Sequence, residues 1–218
     1  MMIADFGSDA GNRVKKKCTR TGRRQRQAQM EHREAEPVKE ISTSRLLLRS
    51  FRESDYDDLF EFLCQLEDDE FEGYPGITYE SGREQLKNRV GSRAFYAVEL
   101  KGSGKVIGNV FCGDREYETK EIGYIINKNY QRKGYASEAI SAVIGNAFRE
   151  GAHRVYAERD PRNTGSWKLL EKVGFRREAH FRQNLYFHKN ADGNPIWKDT
   201  YVYAMTENDY RLSTGNAS

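Results

Sequence analysis

Apolar residues recur at helical spacing from Ala136 onward. Ala136, Ala139, Ile140, Val143, Ile144, Ala147 and Phe148 form one stripe of a helix. Just upstream the period changes: Ile122, Tyr124, Ile125 and Ile126 make an apolar run that predicts a strand. Between them lies the loop Gln131-Arg132-Lys133-Gly134-Tyr135-Ala136. Before this unit, residues 44–51 predict a strand. Ser54-Asp55-Tyr56-Asp57 resembles a capping box that opens a helix with Tyr56, Leu59, Phe60 and Leu63 inward. An acidic loop (67–72) and the turn Gly73-Tyr74-Pro75-Gly76 lead to a second short helix over 80–90, with Leu86 and Val90 inward. Residues 95–100 and 106–111 flank Gly102-Ser103-Gly104 as a hairpin, and 120–127 continues the meander. Residues 155–158 follow the long helix, so they run parallel to the strand before it. A short helix over 166–172 stops at Gly174, and a last hairpin, 175–187 with 197–205, turns at Asp192-Gly193. The pattern predicts a mixed α/β (α+β) domain: a mostly antiparallel sheet of about seven strands with one parallel pair, flanked by about four helices.

With 218 residues the chain is long enough for one domain with a sizeable core. Its net charge of +3 is unevenly spread. Residues 1–36 hold nine Lys and Arg against five Asp and Glu, whereas the rest is nearly balanced. This segment has little hydrophobic pattern, so disorder is predicted for 1–36 and the folded domain is placed at 37–218. The basic stretch from Arg13 to Arg26 reads as a solvated tail; an electrostatic contact to RNA or a ribosome surface is the alternative. Met30 is an alternative first residue, and no secretory h-region is present. No apolar run is long enough to span a membrane. Cys18, Cys64 and Cys112 are widely spaced without a CxxC pair. That argues against a disulfide framework or a zinc site, and for a reducing, cytoplasmic setting.

A helix opening straight after a strand leaves its first N–H groups pointing into the loop. With the positive end of the helix dipole they make an anion site suited to phosphate. Gly134 permits close backbone approach, and Arg132 and Lys133 add charge. The loop is neither GxxxxGK[ST] nor GxGxxG. Gln131-x-x-Gly134-x-Ala136 resembles the pyrophosphate motif of the GNAT superfamily, the acyl-CoA-dependent N-acyltransferases. A second matching segment is Asp160-Pro161-x-Asn163-Thr164-x-Ser166, followed by Leu169-Leu170-Glu171-Lys172-Val173-Gly174-Phe175. The element order over 41–205 also matches that fold, which implies that the parallel strand pair is splayed. Three features resemble the ribosomal-protein N-terminal (RimJ/RimL-like) acetyltransferase branch. They are Thr43-Ser44-Arg45-Leu46-x-Leu48-Arg49, Asn163-x-x-Ser166 and Trp197-Lys198-Asp199-Thr200-Tyr201-Val202-Tyr203.

The resemblance implies acetyl-CoA as co-substrate, with no metal. Gln131, Arg132, Lys133, Gly134, Tyr135 and Ala136 would bind its pyrophosphate. Asn163 and Ser166 would lie along the pantetheine arm and thiol, and the backbone near Tyr124, Ile125 and Ile126 would polarise the thioester carbonyl. Acyl transfer also requires the amine to lose a proton. Glu121 is the candidate base; a structural, ion-paired carboxylate is the alternative. The leaving sulfur needs a donor. Many relatives use a Tyr in the last helix, but Leu170 stands there, so Ser166 is the candidate, acting as an acid or only orienting the sulfur. Asn163 equally suits a helix N-cap. His153, His180 and His188 fit no catalytic pattern; His180 and His188 read as packing or rim residues, and Tyr201 and Tyr203 read as core or cleft wall. The acceptor is expected to be an amine. It is a protein N-terminus or a small molecule such as an aminoglycoside, polyamine or amino-acid derivative. A catalytically silent CoA-binding or RNA-associated module is the third reading, and the enzyme is expected to be a monomer or homodimer.

Overall fold

The computed structural model describes residues 38–66, 71 and 76–215. The segment 1–36 and most of the acidic loop and its turn lie outside the described residues, so the expectations placed on them are not addressed by it.

The strands are β1 (Ile41–Ser42), β2 (Leu46–Arg49), β3 (Phe95–Leu100), β4 (Val106–Asp114), β5 (Thr119–Ile126), β6 (Arg154–Arg159), β7 (Arg176–Lys189) and β8 (Pro195–Thr206). The α-helices are α1 (Tyr56–Cys64), α2 (Tyr79–Lys87), α3 (Tyr135–Arg149), α4 (Thr164–Lys172) and α5 (Glu207–Ser213). The strands form one sheet in the order β1-β2-β3-β4-β5-β6-β8-β7. Only the β5–β6 pair is parallel, as expected for two strands joined through a helix. The described residues thus hold one strand and one helix more than the pattern predicted. The extra strand β1 pairs its two residues with Leu47 and Leu48, too short a segment for periodicity to register. The extra helix α5 starts at a cap visible in the sequence. Thr206 Oγ1 accepts from the Asp209 N–H at 3.2 Å, and the Asp209 carboxylate accepts from the Thr206 N–H at 3.1 Å.

Apolar faces lie on both sides of the sheet. On one side Ala139, Ile140, Val143, Ile144, Ala147 and Phe148 of α3 pack with Ile122, Val155, Ala157 and Tyr203. This is the stripe predicted from spacing, and each fully buried Ile there contributes roughly 1.5–3 kcal/mol. On the other side α1 and α2 bury Tyr56, Leu59, Phe62, Leu63 and Leu86 against Ala97 and Val106. Phe62, not Phe60, completes the α1 stripe; Phe60 is half-buried and stacks on Tyr56 at 5.7 Å.

The predicted cap of α1 takes another form. Asp55 makes no side-chain bond to the first turn of α1, but its carboxylate accepts from the Arg52 N–H at 2.8 Å and caps the 3-10 turn just before it. Its carboxylate meets buried Arg49 twice, at 2.8 and 2.9 Å, and Arg49 Nε donates to Glu99 at 2.6 Å. One carboxylate thus caps the turn and also meets a guanidinium that is 3% exposed and needs paired acceptors. At the far end, Asn190 Oδ1 accepts from the Asp192 and Asn194 N–H groups, closing the β7–β8 turn around Gly193.

Candidate active site

The loop between β5 and α3 is built around one glycine. Gly134 has φ +82°, the left-handed region, and directly precedes α3. The first N–H to close the helix is that of Glu138, on the Gly134 carbonyl at 3.1 Å. The earlier N–H groups of the first turn are therefore available to an anion.

Glu138, the acid of that first turn, is turned away from it. Its carboxylate accepts from Thr43 Oγ1 (2.6 Å), Ser44 Oγ (3.0 Å), the Arg45 N–H (2.9 Å) and Arg45 Nε (2.7 Å). Arg45 Nη1 also donates to the Lys133 carbonyl at 2.9 Å. The β1–β2 connection thus clamps the loop and removes the one charge that would repel an anion. Partial burial disfavours ionised Glu138, but these hydrogen bonds outweigh it and bring the carboxyl down to about 2. A carboxyl depressed in the fold stabilises above its unfolded value, near 4.5, and loses that contribution as pH falls through about 2. Glu138→Ala is accordingly expected to lower stability at pH 6. The gap to wild type in urea unfolding should shrink as pH falls from 4.5 toward 2. A gap that stays constant over that range would show that the clamp carries no charge-dependent stability.

A cleft of about 550 Å³ opens beside this loop. It is lined by Gln131, Arg132, Gly134, Tyr135 and Ala136 from the loop and helix start, by Tyr124, Ile125 and Ile126 from β5, and by Asn163 and Ser166 from α4 and its cap. Ten of the twelve predicted site residues therefore meet at one cleft. Two do not line it. Lys133 Nζ donates to the Asn129 carbonyl at 2.9 Å and sits over the Tyr130 ring. Glu121 stands farther along β5, where Arg115 Nε (3.0 Å) and Nη2 and Tyr156 Oη (3.3 Å) all reach its Oε2.

The open edge of β5 follows from the register. The β5–β6 ladder ends at Glu121–Tyr156. Beyond it the Ile122 carbonyl accepts from Arg159 Nη2 at 3.4 Å, and the Ile126 carbonyl from Gln131 Nε2 at 2.9 Å. Backbone groups alternate sides along a strand, so the Tyr124 N–H and carbonyl between them also point away from β4, into the gap. Asn163 does cap α4, its Oδ1 accepting from the Ser166 N–H at 3.1 Å. Ser166 Oγ in turn meets Tyr124 Oη at 2.8 Å. Helix α4 ends as predicted, with Gly174 at φ +98°.

Spacing did not single out Lys128, Lys168 and Lys172, which also line the cleft. Their signal was a 3–4-residue recurrence on a helix start and on α4, visible only once the facing loop is known. Together with Arg132 they make a mouth suited to a polyanion. Among the histidines, His180 Nε2 meets Asp199 Oδ2 at 2.7 Å and its ring packs edge-on to Tyr201. Tyr203 is core: it is fully buried and its hydroxyl donates to Glu171 at 2.9 Å. Burial, then the bond to Glu171, pushes its phenol up to about 12. Among the described residues no group of three or more His, Cys, Asp or Glu is placed to hold a metal ion. Nor is any helix among them long and apolar enough to cross a membrane.

Residues 45–176 match the family model for the acetyltransferase (GNAT) domain. The chain belongs to the GNAT acetyltransferase family. This GNAT chain is 32% identical over 176 residues to the uncharacterized N-acetyltransferase YnaD of Bacillus subtilis (strain 168), covering 78% of this chain and 98% of that protein. It is 28% identical over 190 residues to the [ribosomal protein uS5]-alanine N-acetyltransferase of Escherichia coli (strain K12), covering 80% of this chain and 94% of that one. Its fold superposes on the crystal structure of a GNAT-family acetyltransferase from Bacillus anthracis with a TM-score of 0.70 at 32% identity, covering 78% and 99% of the two chains. The chain is thus an N-acetyltransferase, as the loop motif and element order led one to expect.

Proposed function

We propose that this GNAT chain moves an acetyl group from acetyl-CoA to a primary amine, with a protein N-terminal α-amine as the preferred acceptor class. The observation that carries this reading is the meeting of the helix start at Gly134, the open edge of β5 and the Asn163–Ser166 turn at one cleft. The residues present fit a nucleotide thioester: free helix N–H groups and four cations for phosphates, then a half-apolar passage between Tyr124 and Leu169. When bound, acetyl-CoA would supply the activated acyl group; the protein's part is to hold it, polarise its carbonyl and manage two protons.

The Tyr124 and Ile126 amides are the donors we assign to the thioester carbonyl. Glu121 is the residue we assign to drawing the proton from the amine. Arg115 and Tyr156 hold its carboxylate in one place. Glu158 stands on the neighbouring strand. Desolvation of its carboxyl, and then the charge of Glu121, raises it above the ordinary carboxylate range although the residue as a whole is exposed. Two carboxylates near the mouth of the splay favour a cationic acceptor. An α-amine near pKa ~7.8 is neutral in roughly a tenth of molecules at pH 7, so a modest base suffices. The relative that acts on a ribosomal protein alanine supports this acceptor class. Cysteines without a CxxC pair support a reducing, cytoplasmic setting.

The test is release of free CoA from acetyl-CoA by the full chain, against N-terminal peptides beginning with Ala or Ser and against a panel of small amines. Faster turnover on peptides is expected. Turnover confined to polyamines or aminoglycosides would replace the acceptor class, and tight acetyl-CoA binding without turnover on any amine would overturn the enzymatic reading.

A further inference from the structure

Ser166 has the position of a donor to sulfur but not the acidity, since an isolated serine hydroxyl holds its proton far more tightly than a thiol does. What it touches changes this. Tyr124 Oη lies 2.8 Å from Ser166 Oγ and 2.9 Å from the Ser166 carbonyl oxygen. Both residues line the cleft. The guanidinium of Arg159 sits 4.6 Å from the centre of the Tyr124 ring, held by its bond to the Ile122 carbonyl. This sets a full positive charge against the face of the phenol ring. Ser166 is itself fixed, its N–H bonded to Asn163 Oδ1.

Resting on the acetyl-transfer reading above, we propose that Tyr124 is the proton source for the departing sulfur, acting through Ser166, and that Arg159 is its charge partner. As the amine nitrogen bonds to the acyl carbon, the carbon–sulfur bond breaks and the sulfur keeps the electron pair. The Ser166 hydroxyl proton passes to that sulfur, and the Tyr124 proton passes to Ser166 Oγ. The phenolate is reprotonated through solvent by the proton that left the amine, so the cycle closes. Switching the Tyr124 hydroxyl from the Ser166 carbonyl to Ser166 Oγ needs only rotation of one O–H, because both acceptors are already within reach. The three cofactor-side elements thereby acquire distinct tasks: β5 carries the phenol, α4 the relay, β6 the cation. Other charges on the same cleft are Lys128, Arg132 and, on α4, Lys168 and Lys172, all positive.

Tyr124→Phe removes one oxygen and keeps the ring. It is expected to lower kcat roughly tenfold to thirtyfold, the loss of one hydrogen bond to developing charge, with acetyl-CoA Kd within about twofold of wild type. Ser166→Ala should lose a similar factor and the double variant little more, since a relay broken twice is still one relay. In mixed light and heavy water, the wild-type rate should show three protons in flight, two along the relay to sulfur and one at the amine, and Tyr124→Phe fewer. A second readout needs no turnover: the thiolate absorbance of enzyme-bound CoA. Its titration midpoint should lie below that of free CoA in wild type and return about one pH unit toward it in both Tyr124→Phe and Arg159→Gln. Wild-type kcat together with an unshifted thiol titration in Tyr124→Phe would overturn the relay while leaving acetyl transfer intact. Absence of amine acetylation by the wild-type chain would instead overturn the acetyl-transfer reading, and the relay with it.

Discussion

Gly134→Asp is expected to cost more than 100-fold in acetyl-CoA affinity, measured by calorimetry on folded protein. Position 134 combines a left-handed backbone with the start of the helix that faces the cleft. Two like charges brought within about 4 Å repel by about 4 kcal/mol at the dielectric of a protein surface. A hundredfold loss needs about 2.8 kcal/mol. Arg45 would offset part of the repulsion, because a Cβ at 134 comes within 3.2 Å of its Nη2. Gly134→Ala separates strain from charge. Its Cβ meets only that flexible side-chain end, so the cost is mainly the left-handed backbone, about 1–2 kcal/mol of stability. Its affinity should fall far less than that of the Asp variant. Unchanged affinity in folded Gly134→Asp would remove the anion from this loop altogether.

Glu121→Gln tests the second assignment. If Glu121 takes the amine proton, kcat/KM should fall about 10²-fold, the low end of general-base contributions, while acetyl-CoA binding stays as it was. The cleft assigned to the cofactor does not include Glu121, so effects on binding and on chemistry should separate. The ion pair with Arg115 supplies a control. Glu121→Gln leaves the Arg115 guanidinium without its carboxylate, whereas Arg115→Gln keeps the carboxylate and removes its anchor. A structural role predicts equal losses in stability and small, equal losses in rate. A role as base predicts that only Glu121→Gln flattens the acid limb of the rate against pH on one saturable amine. Wild-type rates for Glu121→Gln across that series would return Glu121 to structure, and leave the neutral fraction of the amine as the reactant.

The sheet and its long helix were legible because their signals are local. The change of period between Ile126 and Ala136 can be read from neighbours in sequence, and so can the turn residues at Gly174 and Gly193. The loop motif was legible for the same reason: an anion site at a helix start needs only a strand, a glycine and the helix itself. Where the reading differed, a contact that hydrophobic spacing does not register was the cause. Asp55 reads as the cap of α1, but in the structure it caps the turn before it and also pairs with Arg49, which Glu99 completes. Lys133 belongs to the motif, yet the Asn129 carbonyl holds its amine away from the cleft that Lys168 and Lys172 reach.

The order of elements, the glycine that starts the long helix and the family followed from the chain read in one dimension, because hydrophobic period, glycine and helix start are properties of neighbouring residues. Who touches whom across the sheet did not. The clamp of Glu138 by Arg45 spans 93 residues, and the bond between Tyr124 and Ser166 spans 42. Both depend on strand register and on where the β5–β6 ladder stops, which burial of the two apolar faces sets only when the whole sheet assembles.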